Sequence, residues 1–242
     1  MNKKWSMIGG AGVVVLVAVV WFVFFRGDAP EAVDLDAANE QLDADRTDSG
    51  GGPGFDGDVN GIWLVDDEIG DFDFETASGS FAGFRVDEEL TVGSVVAVGR
   101  SGGVTGSLTI EAGELVAAEI TVDMTAIVSN DSRRENAIRR AVGASSDPTA
   151  TFVLTDPVAL PDGLADGQAV SIEATGELTV NGVTNPTTFT IDALVRDDGF
   201  GVVTGSTGVV FADFDVTAPS APIVVSVDDE GIVEFQLVVA KG

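Results

Sequence analysis

The chain has 242 residues, is strongly acidic, and contains neither cysteine nor histidine. It therefore has no disulfide framework, no Ser-His-Asp or Cys-His catalytic group and none of the usual zinc ligands. Three of the 12 basic residues, Lys3, Lys4 and Arg26, lie near the N-terminus, and no acid precedes Asp28. Residues 27–242 therefore carry nine basic and 40 acidic groups, a net charge of −31. Because such a surface repels nucleic acid, we expect no nucleic-acid partner.

Residues 7–25 form an uncharged, apolar run of 19 residues near the N-terminus. At a rise of about 1.5 Å per residue the run would cover about 28 Å, close to the ~30 Å hydrocarbon core of a bilayer. Lysines precede the run and acids follow Arg26, so the positive-inside rule places residues 1–6 in the cytoplasm and the rest of the chain outside. We predict a single-pass membrane anchor. The alternative is a cleaved signal peptide, whose apolar region would be shorter, about 7–15 residues, and would end at small residues rather than aromatic ones.

Residues 27–60 are acidic and then glycine-rich, with little apolar periodicity. Repulsion between like charges predicts an extended, disordered linker that holds a folded domain away from the membrane. A short helix over residues 37–44 is conceivable but has no evident packing partner. Residues Asp56–Gly61 copy the opening of an EF-hand calcium loop, but the flanking helices and the glutamate at the twelfth position are missing. We interpret them as linker and predict neither metal nor cofactor.

From Gly61 onward apolar and polar residues alternate. The pattern is clear in Ile120–Met124, Val170–Ala174 and Phe189–Ala193. A period of two with one polar face indicates antiparallel strands that bury one face. Turn signals such as Asn-Gly separate the runs. Roughly eight strands of this kind predict a closed barrel or a sandwich, and one segment, Asn130–Gly143, predicts a short helix.

The inward faces of the predicted strands are apolar and form the first candidate site. A barrel of about eight strands either holds a small ligand or is filled by its own side chains, and periodicity alone leaves both open. Thirteen residues are predicted to line the interior: Phe84, Val86, Leu108, Ile110, Ile120, Val122, Met124, Phe152, Leu154, Phe189, Ile191, Phe235 and Leu237.

Four of the nine basic residues after Arg26 lie in the predicted helix, between Arg133 and Arg140. Guanidinium groups bind phosphate through paired hydrogen bonds, so a polar headgroup could dock there. The alternative is a surface helix whose arginines pair with Glu135 and other acids. Paired carboxylates could also serve a glycosidase, but chance pairs are expected among 40 acids, and we predict that the protein is not an enzyme.

Several ordered motifs across residues 60–240 resemble the YceI-like family of bacterial extracytoplasmic proteins. The most specific is GELTVNGVT over Gly176–Thr184, which is similar to the family's G-x-L-T-x-x-G-V-T. Further resemblances lie in Gly61–Asp66, Ile120–Asn130, Arg133–Arg140, Asp147–Phe152 and Phe211–Phe214. The resemblance implies a lipocalin-like barrel around an apolar cavity that binds a polyisoprenoid or other amphiphilic lipid. It also implies that Arg134, at the family's arginine position, contacts the ligand's headgroup.

The sequence thus predicts an all-β protein. Residues 61–242 are expected to form a roughly eight-stranded antiparallel lipocalin-like barrel with one short helix, preceded by a transmembrane helix and an acidic linker. The expected function is to hold an isoprenoid or similar amphiphilic chain outside the membrane, for storage, transfer or sequestration. A ligand-free structural or interaction domain of the cell envelope is the alternative. The sequence leaves the oligomeric state open, a homodimer included.

Overall fold

The computed structural model describes residues 29–46, 54–91, 93–129, 132–219 and 224–242. The predicted membrane anchor, residues 7–25, lies outside these ranges. No helix within the described ranges is both long enough and apolar enough to cross a bilayer. Two α-helices, α1 (Leu35–Arg46) and α2 (Ser132–Ala141), accompany an antiparallel sheet. The prediction of a single short helix was therefore wrong, because α1 had not been assigned.

Thirteen strands make up the sheet in the described residues. Three short 3₁₀ turns, Met124–Ala126, Asp162–Leu164 and Phe211–Phe214, lie between them. The strands are β1 (Gly61–Val65), β2 (Phe81–Leu90), β3 (Gly93–Ser101), β4 (Val104–Glu111), β5 (Glu114–Asp123), β6 (Val128–Ser129), β7 (Thr149–Leu154), β8 (Val158–Ala159), β9 (Val170–Val180), β10 (Val183–Val195), β11 (Phe200–Val210), β12 (Val224–Val227) and β13 (Glu230–Lys241).

Eight strands close into a ring in the order β1-β4-β5-β7-β9-β10-β11-β13 and back to β1. The ring closes because β1 pairs on both edges, so that Trp63 lies opposite Leu108 on one side and Lys241 on the other. This confirms the predicted antiparallel barrel of eight strands. The first half of β13 pairs instead with β2, and β2, β3 and β6 extend the wall there. The two ends of the barrel therefore differ.

One end of the barrel is sealed by packed side chains, and we call it the closed end. Trp63 is buried there and donates a hydrogen bond from Nε1 to the Val59 carbonyl at 2.9 Å. Leu164, on the second 3₁₀ turn, and Val195 pack into the same cluster. The other end, flanked by α2 and the 3₁₀ turn Phe211–Phe214, is called the mouth.

Tight hairpins join the long strands, as the turn signals predicted. Asn181 and Gly182 have positive φ angles of 53° and 72° between β9 and β10, where Val180 pairs with Val183. Asparagine and glycine tolerate this left-handed backbone better than other residues, and for that reason Asn-Gly favours a two-residue hairpin. The turn fixes the register of β9 against β10, and with it the set of residues that face inward.

Part of the predicted linker is folded onto the barrel, which corrects the expectation of an extended segment over residues 27–60. Leu35, Ala38 and Leu42 of α1 are buried, and Leu42 is 0% exposed. They pack against Phe200, Val202 and Val238 on β11 and β13. Their i, i+3, i+7 spacing places them on one face of the helix, which is why this short acidic helix can dock on the sheet.

Candidate functional site

A cavity of about 250 Å³ lies inside the barrel and is bordered by residues from the closed end to the mouth. Its walls are the inward faces of the strands, so alternate residues along each strand line it. All thirteen residues that the alternation placed inside border this cavity, from Phe84 on β2 to Leu237 on β13. Their contact with a ligand stays a prediction.

Glycines on the inner wall help to keep the barrel hollow. The ring of Phe84 lies over Gly99 on the neighbouring strand, where an added Cβ would be 2.7 Å from the ring. Phe235 lies over Gly205 in the same way, with a corresponding distance of 2.4 Å. Each ring thus occupies space that a side chain on the next strand would otherwise fill. Alanine holds further lining positions, at Ala82, Ala97, Ala118, Ala150, Ala174 and Ala193.

Three phenylalanines form an aromatic band inside the barrel. The ring of Phe189 lies 5.2 Å from that of Phe152, nearly perpendicular to it, and 5.5 Å from that of Phe235, centroid to centroid. Both distances are in the favourable range for aromatic pairs. The band spans β7, β10 and β13 and offers an apolar surface against which a hydrocarbon chain can pack.

An ion pair lies at the mouth of the cavity. Nη2 of Arg134 is 3.0 Å from Oε2 of Glu88, and both residues border the cavity. The Glu88 side chain is 9% exposed and that of Arg134 is 22% exposed, so the pair lies where the cavity approaches solvent. Glu88 was missed in the sequence, although its place after Phe84 and Val86 in the alternation of β2 marks it as inward-facing.

The structure separates the arginines of the predicted cluster. Arg134 borders the cavity, and its contact with a ligand headgroup stays a prediction. Arg139 instead pairs with Glu135 at 3.3 Å and donates to the Ile127 carbonyl. Arg140 donates to the carbonyl of Asn136 within its own helix. Of these three arginines, Arg134 is therefore the one positioned to meet a ligand inside the barrel.

The calcium-like motif uses its carboxylates within its own turns. Asp56 accepts a hydrogen bond from the Asp58 amide at 3.1 Å, and Asp58 accepts from the side chain and amide of Asn60 at 2.8 and 2.9 Å. The bonds from Asn60 lower the pKa of Asp58. Across the described ranges, the structure contains no group of three or more carboxylates arranged to hold a metal ion.

An antiparallel barrel sealed at one end, with an apolar cavity and one ion pair at its mouth, has the architecture of small barrels that enclose hydrophobic ligands. The YceI-like domain family model matches residues 74–239. This span covers most of the chain, and the chain belongs to the YceI-like family. The family resemblance seen in the sequence motifs is therefore confirmed.

One solved structure shows the same fold at low sequence identity, and two others are similar to this chain with lower TM-scores. A polyisoprenoid-binding domain from Saccharophagus degradans, implicated in plant cell wall breakdown, is 17% identical, with a TM-score of 0.53 over 67% of this chain and 94% of that one. BcnA from Burkholderia cenocepacia is 20% identical, with a TM-score of 0.48 over 65% and 95% of the two chains. A Campylobacter jejuni YceI protein is 16% identical, with a TM-score of 0.47 over 60% and 85%. Comparison with curated proteins returns no match.

Proposed function

We propose that this protein is an extracytoplasmic, membrane-tethered lipid-binding protein that holds an isoprenoid or similar amphiphilic chain in its barrel, for storage, transfer or sequestration. The observation that carries the proposal is the apolar cavity of about 250 Å³ with one ion pair at its mouth. An apolar wall binds a hydrocarbon chain by removing it from water, at about 25 cal/mol per Å². Family membership supports the lipid class, since the Saccharophagus domain is described as polyisoprenoid-binding.

The polar end of the ligand is proposed to bind at Arg134. Its guanidinium group can donate hydrogen bonds to a headgroup oxygen, while the partner carboxylate of Glu88 can accept one from a hydroxyl. Because the pair also holds Arg134 in place, Glu88 is a positioning residue in this proposal. The hydrocarbon chain would then extend past the aromatic band toward Trp63.

The tether and the location are supported by the sequence of the N-terminus. Residues 7–25 are long and apolar enough to span a bilayer, and Lys3 and Lys4 favour a cytoplasmic N-terminus. The barrel would then lie outside the membrane. We propose binding rather than turnover, in keeping with a chain that lacks cysteine and histidine.

A ligand-free structural or interaction domain of the cell envelope is the second candidate. The observation that favours it is the size of the cavity, about 250 Å³, which is below the roughly 300–1,000 Å³ typical of ligand pockets. In that case the interior would be a loosely packed core, and partner binding would use the outer surface.

Native mass spectrometry of residues 29–242, purified without detergent, separates the two functions. This span keeps α1 and the barrel wall on which it packs. We expect a stoichiometric lipid whose mass identifies its chemical class. Phe189→Trp, which adds bulk inside the barrel, should lose the lipid, whereas the matched variant Val153→Trp, on the exposed outer face, should retain it.

The opposite results would favour the second candidate. A protein that is free of lipid and stays so after incubation with isoprenoid and fatty-acid mixtures would contradict lipid binding. If Phe189→Trp only lowers stability and never changes lipid content, overpacking of a solid core is the better explanation.

A further inference from the structure

The first described residues of the chain are bound to the outer wall of the barrel by a buried charge cluster. Glu234 is 1% exposed and accepts hydrogen bonds from Arg85 at 3.0 Å and Arg100 at 3.1 Å. The same guanidinium groups donate to the backbone carbonyls of Pro30 at 2.6 Å and Glu31 at 2.8 Å. Burial lowers the pKa of Arg100, and its bond to Glu234 opposes this. Because buried charges are costly without partners, these contacts make the N-terminal segment part of the wall.

Helix α1 extends this attachment. Arg196 donates to Asn39 and Asp43 of the helix and pairs with Asp198 at 3.2 Å. Burial on its own would lower the pKa of Arg196, but the hydrogen bonds and charges of Asp198 and Asp43 raise it overall. On the other side of the helix, Ser78 donates to Asp45. The helix is thus held by polar contacts on two sides as well as by its apolar face.

The attached segment has a defined direction. Pro30 is bound by Arg85, which pairs with Ile232 in the mouth half of β13. Arg196, which binds the helix, lies in the turn between β10 and β11 at the closed end. The segment therefore runs from the mouth half toward the closed end, and residue 29 is at its mouth-side end.

The short chain between the predicted anchor and Pro30 limits how far the barrel can lie from the bilayer. This inference rests on the proposed membrane tether. Five residues from Phe25 to Pro30 span at most about 17 Å. The five residues from Arg85 to Leu90, at the mouth end of β2, also span about 17 Å. By contrast, a 13-residue strand tilted in the barrel wall separates the two ends by roughly 30 Å. The mouth is therefore the end that the short tether brings to the membrane.

The mouth carries exposed apolar side chains on its outer face. Val210, Val225 and Ile232 are 41%, 64% and 44% exposed. Ile232 lies opposite Gly208, two residues from Val210, so the two side chains share one face of the sheet. Asp87 and Glu89 lie on the adjoining strand, so contact through apolar insertion is favoured over attraction to anionic headgroups.

We propose that the attached N-terminal segment fixes the barrel with its mouth against the phospholipid surface of the membrane that anchors it. Val210, Val225 and Ile232 contact the lipid, and a hydrophobic ligand passes between the bilayer and the cavity without crossing water. The barrel is thus held in one orientation rather than suspended on a flexible linker.

Single-cysteine reporters test this orientation, because the chain has no native cysteine. The full chain is reconstituted in phosphatidylcholine vesicles that contain a nitroxide-headgroup lipid, and a fluorophore is attached to Val225→Cys at the mouth or to the matched Asp162→Cys at the closed end. We expect the label at 225 to be quenched at least threefold more than the label at 162. Adding Leu42→Asp, which disrupts the packing of α1, should make the two labels alike.

The outcomes separate the orientation from the proposed function. Equal quenching at both sites in protein that floats with the vesicles would overturn the orientation and leave the tether intact. Protein that does not float with the vesicles would overturn the tether, and the orientation with it. If the label at 225 is still quenched more than the label at 162 in a folded Leu42→Asp variant, the N-terminal segment does not set the orientation. Lipid occupancy of the cavity is measured separately by native mass spectrometry.

Discussion

Replacement of Gly99 by alanine tests whether the interior of the barrel is empty. The new Cβ would lie 2.7 Å from Cε1 of Phe84, so the ring must move by about 1 Å to reach the roughly 3.5–4.0 Å that carbon atoms prefer. In a filled core such overpacking costs about 1–3 kcal/mol. Beside an open cavity the ring can turn inward. Alanine also restricts the unfolded chain, which stabilises the fold by about 0.4–1 kcal/mol. We therefore expect the free energy of unfolding to change by less than about 1 kcal/mol.

The same variant should weaken ligand binding. A ring displaced into the cavity removes contact with one or two methylene groups, worth about 0.8 kcal/mol each. This corresponds to a loss of affinity of about four- to fifteenfold. Trp63 borders the cavity and is the one tryptophan in residues 29–242, so its fluorescence can follow titration with an isoprenoid alcohol. Unfolding in urea gives the stability of the same sample.

Gly208→Ala is the matched control, since Gly208 also lies in a strand and an added Cβ there would meet nothing within 4 Å. If Gly99→Ala lowers the free energy of unfolding by more than about 2 kcal/mol relative to this control, the space beside Phe84 is filled. Unchanged affinity in a stable Gly99→Ala variant would show that no ligand occupies that part of the cavity.

Three further predictions concern stability. Leu42→Ala should lower the free energy of unfolding by about 2–5 kcal/mol. Thermal unfolding would show this as a fall in Tm of about 2–4 °C per kcal/mol. A change below about 0.5 kcal/mol would mean that α1 is not packed on the barrel. Glu234→Gln leaves the buried Arg100 and the partly exposed Arg85 without their carboxylate and should lower the free energy of unfolding in urea by about 3–5 kcal/mol. A neutral effect would mean that the cluster is hydrated. Hydrogen bonds from Thr125 lower the pKa of Asp123 from its ordinary value of 3.8. The ionised carboxylate therefore stabilises the fold above pH 3.8, and this stabilisation is lost as the pH falls through the lowered pKa. The urea midpoint of the wild type should therefore fall more below about pH 4 than that of Asp123→Asn, and parallel curves would contradict this assignment.

The strands and the residues that line the cavity could be predicted because both depend on a local pattern. In a strand, residues two apart face the same side, so the alternation of Phe84 with Val86, or of Phe189 with Ile191, assigns their direction without any knowledge of neighbouring strands. The same rule places Glu88 inside. It was missed because a charged residue was not expected on an apolar face.

The attached N-terminal segment could not be predicted, because its partners are remote in the chain. Leu35, Ala38 and Leu42 have helical spacing, but they are the apolar minority of an acidic segment. The strands that cover them begin more than 150 residues later. Barrel closure is equally non-local, since β1 must pair with both β4 and β13. The turn signals fix the hairpins but carry no information about these contacts.

Several of the few basic residues in this acidic chain bind the N-terminal segment to the barrel. Residues 27–242 carry only nine basic groups, and three of them, Arg85, Arg100 and Arg196, bind the N-terminal segment. A chain that began at residue 60 would leave the Arg85–Glu234–Arg100 cluster without its backbone acceptors and would expose the apolar face of β11 and β13. Residues 29–46 are thus part of the folded unit. If residues 7–25 anchor the chain as we propose, this attachment would transmit the position of the membrane to the barrel, which a flexible linker of the same length would not do.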